Sequence, residues 1–596
     1  MSTPAMEPQT RPSVQSGQRL GRIIAALLLV VGIQLWLLLG NGEYGTWTQR
    51  RLLMLIAAIA LVPRLATLIA AQLDRVRNPS PQARARTATC VAVTCAAYFL
   101  LSAAYRNPQP LLKFVDEHSY AIGMQQAARF RLWMPQHPLA DFFEAQNLFI
   151  RPVYASAYFP GTAMIYAPSV WLGLRYWVWT CLIAGACAGL MYRVVAELFD
   201  GLWGLLAAMM LPGSALVRIM STMLMSQLPM LLLSLLMLWI WLRWRRARRQ
   251  MAWITLLGVV SGLALITRPL DAMLAVTPLA AAFVIDCRSN WPSLARFAAV
   301  AGLCAIPFVA LQIVFNVAAT GSWHHTPYAL NVHQDHPELR LGFHRPDPAL
   351  QPQSILPQKL LHYRDFVLPS LREHRLDNMI PGWLSQWLMS AINFGLPHPL
   401  LLVLVPLGLM DLRHRRWVPI AIIPLWLGLY FLYPIPLVHY FITALVGMNC
   451  LIVNGVRCLR EAWPRLSSCS TAFFTFSIVM ICITQLPEFR RLGDDWFDAS
   501  ELIRINNDLA HLPQTPAVVL FHFEPSVKTH VEPVYNVDVP WPDDAKVIRA
   551  HDLGPRNIEI YRYYAQRQPT RMFYLYNRVD GSIKLLGTAK DLAGPP

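Results

Sequence analysis

The chain has 596 residues, of which 55% are hydrophobic and 14% are charged, against roughly 25% charged residues in an ordinary soluble domain. This composition, with a mean hydropathy of +0.37, excludes a disordered, fibrous or simple soluble globular protein. The net charge is +17, and the Arg residues cluster beside apolar runs. The charge therefore indicates membrane topology rather than a nucleic-acid partner.

Apolar runs of about 20 residues, the length that crosses a bilayer, recur through the chain. They predict about thirteen membrane spans, with a polar cytoplasmic tail at residues 1–19 before the first of them. The spans lie near residues 20–40, 52–73, 88–104, 177–196, 203–217, 223–242, 252–267, 271–286, 295–317, 397–412, 417–434, 438–457 and 469–486. The apolar stretch 162–174 is too short to cross and contains Pro168, so a surface or re-entrant helix is predicted there.

Basic residues give the orientation of these spans. Four clusters follow the second, sixth, tenth and twelfth spans, at residues 75–86, 243–250, 413–416 and 457–465. If the N-terminus is cytoplasmic, all four clusters are cytoplasmic, as the positive-inside rule requires. The C-terminus is then extracytoplasmic.

The predicted organisation alternates membrane and outer segments. Residues 20–104 form the first three spans, 105–176 a large outer loop with surface helices, and 177–317 the central spans. Residues 318–396 form a second outer loop, 397–486 the last spans, and 487–596 an outer domain. In that domain 517–523 (AVVLFHF), 546–550 (KVIRA) and 571–576 (RMFYLY) read as strands and 557–566 as a helix, which predicts a compact α/β fold with its own core.

Asp116 and Glu117 (DEHSY) follow the third span by about a dozen residues. Two carboxylates near the membrane surface suit a general base that removes a proton from an acceptor hydroxyl or amine. The alternative is a solvated helix cap or a charge pair. Sequence spacing alone leaves both interpretations open.

Further motifs recur at the ends of spans. They are the outer-loop segment 137–161 (HPLADFFEAQNLFIRPVYASAYFPG), Thr267–Arg268–Pro269, the segment 315–328 (FNVAATGSWHHTPY) and His439–Tyr440. In this order they resemble bacterial membrane glycosyltransferases of the GT-C superfamily, in the RgtA/B/C/D-like (dolichyl-phosphate-mannose-transferase-like) group. The resemblance covers most of the chain from Lys113 onward, including the tail segments 518–530, 533–536 and 545–553.

The resemblance implies a GT-C-like, all-α polytopic fold and a reaction. Such enzymes transfer a hexosyl or pentosyl group, with inversion, from a polyprenyl-phosphate donor to an envelope glycolipid, glycan or protein acceptor. The reaction takes place at the extracytoplasmic face of the bacterial inner membrane and no cofactor is expected. Asp116 occupies the place of the catalytic base, with Glu117 as the second candidate. Many relatives carry another acid in the next outer loop, where this chain has Met-Ser-Gln at 225–227.

The same resemblance suggests substrate-binding residues, each with a plainer alternative. Arg268 is expected to hold the carrier phosphate, because a guanidinium pairs bidentately with phosphate oxygens; otherwise it is an interfacial anchor. Tyr154 and Tyr158 shape the sugar or isoprenoid entrance, or belong to an aromatic belt. His439 binds phosphate or caps its span. The remaining candidates are His137, Tyr328 and Tyr440; the histidines at 324, 325, 333, 336 and 344 match no metal-site spacing, so no metal ligand is predicted.

Two other functions remain open. A transporter or flippase of lipid-linked sugars would carry ionisable residues within its spans and repeated discontinuous helices. A non-catalytic membrane scaffold would bind a partner through its outer tail. The scaffold would gain support if Asp116 proved dispensable.

Overall fold

The structure is a computed structural model of the full chain. It describes residues 75–106, 111–247, 250–347, 349–463, 499–527 and 531–594, with single positions between 62 and 72 and between 468 and 483. The predicted tail at 1–19, the predicted spans near 20–40 and 52–73, and much of the span near 469–486 lie outside the described residues.

Helices make up most of the chain up to Ala462. In order they are α1 (Pro81–Arg106), α2 (Val115–Ala128), α3 (Pro160–Trp171), α4 (Tyr176–Leu198), α5 (Gly201–Gly213), α6 (Ala215–Met220), α7 (Gln227–Arg246), α8 (Gln250–Leu265), α9 (Pro269–Cys287), α10 (Trp291–Thr320), α11 (Pro327–Asp335), α12 (Pro357–His362), α13 (Leu368–Glu373), α14 (Leu376–Gly395), α15 (Pro399–Leu409), α16 (Trp417–Phe431) and α17 (Val438–Ala462).

Six described helices, α1, α4, α7, α9, α10 and α17, are long and apolar enough to cross a membrane. Helices α14 and α15 are bent by 97° at their junction and together make a seventh candidate, as a broken span or a re-entrant loop. Helices α5, α8 and α16 occupy three further predicted spans and are apolar but shorter. The protein is a multi-pass membrane protein, and the count of about thirteen spans stays a prediction.

The helices of the bundle approach closely where their residues are small. A Cβ added at Gly185 of α4 would lie 2.5 Å from the carbonyl oxygen of Ala92 in α1, and one at Gly189 would lie 2.8 Å from that of Ala88. Glycine and alanine therefore bring the two backbones together, the usual means of close helix packing in membranes. This contact fixes α1, and with it the start of the first outer segment.

The basic clusters gather at one end of the bundle. Arg77 pairs with Asp200 at 2.8 Å, and Arg246 pairs with Glu197 of α4 at 3.3 Å. Asp286, at the end of α9, pairs with Arg245 at 3.1 Å and with Arg415 at 2.6 Å, and Asp411 pairs with Arg413, Arg416 and Arg457. The four clusters that the sequence assigned to one side thus meet in space.

The segment predicted as the first outer loop, called the first outer segment, lies at the opposite end. It contains α2, three short strands β1 (Met134–Pro135), β2 (Leu148–Phe149) and β3 (Val153–Ser156), and α3. The strands form an antiparallel sheet in the order β1-β3-β2. Helix α3 has 12 residues and packs against α2, so its length excludes a membrane crossing, as predicted.

The tail forms a small α/β unit. Its elements are α18 (Ser500–Ala510), β4 (Ala517–His522), β5 (Val547–His551), α19 (Asn557–Arg567), β6 (Met572–Asn577), β7 (Ile583–Thr588) and α20 (Ala589–Leu592). Strand β4 is parallel to β5 and β6, and β7 closes the sheet antiparallel to β6. The predicted fold class, a helical membrane protein with a small α/β tail, is confirmed; α18 and β7 were not predicted.

The apolar residues of the tail are divided between two cores. One face of the sheet, with Val519 and Tyr574, packs on Ile505 of α18. The other face shares a core with α19, through Ile560 and Tyr564, and with the first outer segment. This shared core also contains Ile122, Phe142, Phe143, Tyr154, Val518, Leu520, Ile548 and Phe573. The tail therefore has a small core of its own around α18, and its second core extends into residues 122–154.

Candidate active site

The candidate active site begins at the N-terminus of α2. Asp116 and Glu117 lie in the first turn of this helix, where carboxylates are favoured by the helix dipole. Tyr120 follows Asp116 by one helical turn, so both side chains lie on one face of α2. The DEHSY motif thus places a carboxylate and an aromatic ring side by side.

Asp116 is half-buried and is held through a single oxygen. Its Oδ1 accepts hydrogen bonds from the Tyr158 hydroxyl at 2.6 Å and from Asn147 Nδ2 at 2.8 Å. Burial raises the pKa of Asp116, while the bond from Tyr158, the charge of Arg268 and the bond from Asn147 lower it. The pKa remains above its ordinary value, which suits a general base.

Glu117 points into the protein and has another role. Its carboxylate is buried and accepts backbone N–H bonds from Lys113 at 2.9 Å, Phe114 at 3.2 Å and Leu224 at 3.0 Å. The first two bonds cap α2, and the third ties α2 to the segment before α7. Glu117 therefore supports the fold around Asp116.

Arg268 lies at the start of α9, because Pro269 takes the first helical position, where proline is favoured. Its Nε donates to Asp271 Oδ2 at 2.5 Å, Nη1 to Ser226 Oγ at 2.9 Å and Nη2 to the Tyr430 hydroxyl at 3.3 Å. A guanidinium has five N–H donors, and the described residues accept from three of them, which leaves two for a ligand. The side chain is half-buried beside Asp116.

Tyrosines join the carboxylate to the guanidinium. The Tyr158 ring stacks on Tyr120, with centroids 4.3 Å apart, and on Tyr328 of α11 at 5.8 Å. Tyr433 lies next to Tyr328 and to Tyr440, and Arg268 lies 5.2 Å above the Tyr440 ring. Six members of this group are half-buried and keep some exposure, and together they are called the recess: Asp116, Tyr158, Arg268, Tyr328, Tyr433 and Tyr440.

His439 is buried directly behind this recess, with its ring 4.8 Å from that of Tyr440. The structure therefore brings together Asp116, Tyr158, Arg268, Tyr328, His439 and Tyr440, which come from five separate parts of the sequence. It places them at the end of the bundle opposite the basic clusters.

His137 and Tyr154 lie elsewhere. Buried His137 pairs through Nε2 with Asp543 of the tail at 3.1 Å, while its Nδ1 accepts the Leu139 N–H at 3.0 Å. Tyr154 is fully buried in the core shared with the tail. Both residues hold the tail against the first outer segment, so their predicted place at the substrate is corrected.

Residues 174–313 match the family model described as Dolichyl-phosphate-mannose-protein mannosyltransferase. The resemblance to the GT-C superfamily is confirmed. The matched segment includes Ser226, Arg268 and Asp271 of the site, whereas Asp116 lies before it. The narrower group within the superfamily stays a prediction.

Solved structures give further similarities. ArnT from Cupriavidus metallidurans bound to undecaprenyl phosphate is 11% identical with a TM-score of 0.43, covering 82% of this chain and 93% of that chain. The archaeal oligosaccharyltransferase AglB from Archaeoglobus fulgidus, with an inhibitory peptide and a dolichol-phosphate, is 13% identical with a TM-score of 0.39, covering 73% and 62%. No curated protein sequence matches the chain.

Several members of the site were not singled out from the sequence. They are Asn147, Ser226, Asp271, Tyr430 and Tyr433. Asp271 had a visible signal, since it follows Arg268 by three residues and so lies on the same helical face. Ser226 lies immediately before α7, and its hydroxyl accepts a bond from Arg268. Within the described ranges, no three His, Cys, Asp or Glu side chains group as a metal site.

Proposed function

We propose that the protein is an integral membrane glycosyltransferase of the bacterial plasma membrane. It transfers a hexosyl or pentosyl group from a polyprenyl-phosphate donor to an envelope glycolipid, glycan or protein acceptor at the extracytoplasmic face. The observation that carries this proposal is the meeting of Asp116 and Arg268 in one tyrosine-lined recess. The family match of residues 174–313 supports the class of donor.

The chemistry needs one base and one phosphate-binding group. Asp116 removes the proton from the acceptor hydroxyl or amine as that atom attacks the anomeric carbon. The bond from the anomeric carbon to the carrier phosphate breaks on the opposite face, so the configuration inverts. The carrier phosphate leaves as an anion, and the two remaining N–H donors of Arg268 bind its oxygens.

The recess supports this division of roles. Burial and the charge of Asp116 raise the pKa of Tyr158 well above its ordinary value, so this tyrosine stays protonated and donates to the carboxylate. Asp271 binds Arg268 and receives the Tyr430 hydroxyl, so the guanidinium is held in place before a ligand arrives. A fixed cation beside a base is the arrangement that a displacement at a sugar phosphate requires.

The decisive experiment compares the envelope glycolipids and glycans of a parent strain, a deletion strain and a deletion strain complemented with Asp116→Asn. A transferase predicts that one glycosylated species, detected by mass spectrometry, is lost on deletion and is restored by the parent chain but not by Asp116→Asn. A transporter or a scaffold predicts that Asp116→Asn, inserted at parent level, restores the species. That result would reject the proposal.

A further inference from the structure

Asn147 has an unusual backbone beside the site. Its φ is 57°, in the left-handed region, which Asn tolerates better than most residues other than glycine. Its carbonyl accepts the Ser119 hydroxyl at 2.6 Å and the Ala157 N–H at 3.0 Å. Helix α2 and the end of β3 therefore fix the point from which the Asn147 side chain projects.

The Asn147 amide is bonded at both of its ends. Nδ2 donates to Asp116 Oδ1 at 2.8 Å, and Oδ1 accepts from Asn331 Nδ2 at 3.2 Å. Asn331 is buried on α11, the helix that also carries Tyr328. The Thr326 hydroxyl caps this helix by accepting a hydrogen bond from the Ala329 N–H at 3.2 Å. The cap stabilises the start of α11, the helix that carries Asn331.

These bonds distinguish the two oxygens of Asp116. Oδ1 accepts from both Asn147 and Tyr158, whereas Oδ2 accepts no hydrogen bond from any residue that the structure describes. A carboxylate has acceptor sites on both oxygens, so Oδ2 keeps its capacity for a substrate proton.

We propose that Asn147, held by Asn331, is a positioning residue that fixes the Asp116 carboxylate through Oδ1 and leaves Oδ2 as the proton-accepting atom. This inference rests on the proposed function. In the transfer step the acceptor proton passes to Oδ2, and neither amide gains or loses a proton. Asn331, in the predicted second outer loop, thereby orients Asp116, the base that lies in the first.

A plainer explanation is that Asn147 merely suits a left-handed turn. Asn147→Gly separates the two explanations, because glycine adopts the same φ but lacks the amide. Asn147→Asp keeps the shape and replaces the donor by a second carboxylate. The matched control is Gln126→Ala, which removes a buried amide of α2 that bonds the Tyr154 and Pro540 carbonyls and does not touch Asp116.

The measurement is an infrared titration of the purified full chain. The carboxyl band of Asp116 is assigned by subtracting the spectrum of Asp116→Asn, and its midpoint is followed with pH. The other titratable or charged groups that face Asp116 are Arg268, Tyr120, Tyr158, Tyr328, Tyr440 and Tyr535. None of them is altered in the variants.

Loss of a hydrogen bond to a charged group is expected to raise the midpoint by about one pH unit in Asn147→Gly, and further in Asn147→Asp. Asn331→Ala should give a smaller rise, and adding it to Asn147→Gly should change nothing, because both act through one amide. Gln126→Ala should leave the midpoint unchanged. If Asn147→Gly does not fold, Asn331→Ala decides the question.

An unchanged midpoint in Asn147→Gly, or in Asn331→Ala where it alone is measured, overturns the inference. The infrared midpoint does not depend on turnover, so it tests the role of Asn147 separately from the proposed function. The proposed function is rejected instead if Asp116→Asn supports transfer. In an active preparation, Asn147→Gly should lower kcat by about tenfold with little change in KM.

Discussion

Asp116 and Glu117 are adjacent in the sequence but have opposite surroundings. Asp116 faces the recess and keeps one oxygen without a hydrogen bond from the described residues, whereas Glu117 satisfies three backbone N–H groups inside the protein. The sequence identified the pair and ranked Asp116 first. It could not show that Glu117 ties α2 to Leu224, because that contact joins distant parts of the chain.

Asp116→Asn is expected to lower kcat by roughly 10²–10⁴-fold while the protein remains folded, because the amide keeps the shape but not the basicity. Glu117→Gln should instead lower the free energy of unfolding by about 1–3 kcal/mol, since an amide N–H would face backbone N–H groups. Kinetics and thermal unfolding of both variants give the measurement. A stable but inactive Glu117→Gln would reverse the two roles.

The pH profile follows from the same residue. Burial is the main reason that the pKa of Asp116 is raised, so more alkaline conditions are needed to ionise it than for an exposed aspartate, near 4. A base acts only when ionised; kcat should therefore rise with pH along a limb whose midpoint lies above about 4. A pH-independent kcat from pH 4 to pH 8 would contradict this assignment.

Arg268 and Asp271 allow a paired test of phosphate binding. Arg268→Lys loses the fork geometry and should raise KM for the polyprenyl-phosphate donor by about tenfold or more. Asp271→Asn keeps a side-chain oxygen that can hold Arg268 in place but removes the negative charge that competes with the phosphate, so KM for the donor should stay level or fall. If Arg268 were only a structural partner of Asp271, the two variants would impair donor binding alike. Arg175→Lys, an exposed arginine at the start of α4, is the control for an interfacial anchor.

At the scale of elements, the local sequence pattern was sufficient to predict strands and helices where its hydrophobic pattern was strong. Strands β4, β5 and β6 and helix α19 lie where the sequence predicted them. The pattern could not reveal that Val518 and Leu520 share a core with Phe142 and Phe143, because period-2 alternation indicates which face is buried but not what covers it. For the same reason His137 and Tyr154 were assigned to the substrate rather than to the tail.

The shared core predicts that the tail depends on the first outer segment. Phe143 is 1% exposed in that core, so Phe143→Ala should cost about 3–5 kcal/mol and expose residues 518–576 to protease. Phe130, a phenylalanine of the same segment that is 88% exposed, is the control, and Phe130→Ala should leave the cleavage pattern unchanged. Equal protease resistance of the Phe143→Ala protein would indicate a tail that is stable by itself.

For the whole molecule, the two ends of the bundle have different chemistry. Helices α7 and α9 both run from the recess, where Ser226 and Arg268 meet, to the basic end, where Arg245 and Asp286 meet. The sequence predicted five of the six residues of the recess one by one, all except Tyr433, because each lies close to an end of an apolar run. The contacts between these residues depend on how the helices pack against one another, which no single apolar run of the sequence indicates.

This polarity predicts the orientation of the chain in the membrane. Ser289 lies in the exposed link after α9, close to the basic end, and Thr570 is exposed on the tail at the other end. By the positive-inside rule the basic end is cytoplasmic, so Thr570→Cys should react with a membrane-impermeant maleimide in intact spheroplasts. Ser289→Cys should react only after permeabilisation, with the parent chain as the blank. Labelling of Ser289→Cys in sealed spheroplasts would place the basic end outside, and the recess would then face the cytoplasm, where an extracytoplasmic transfer is impossible.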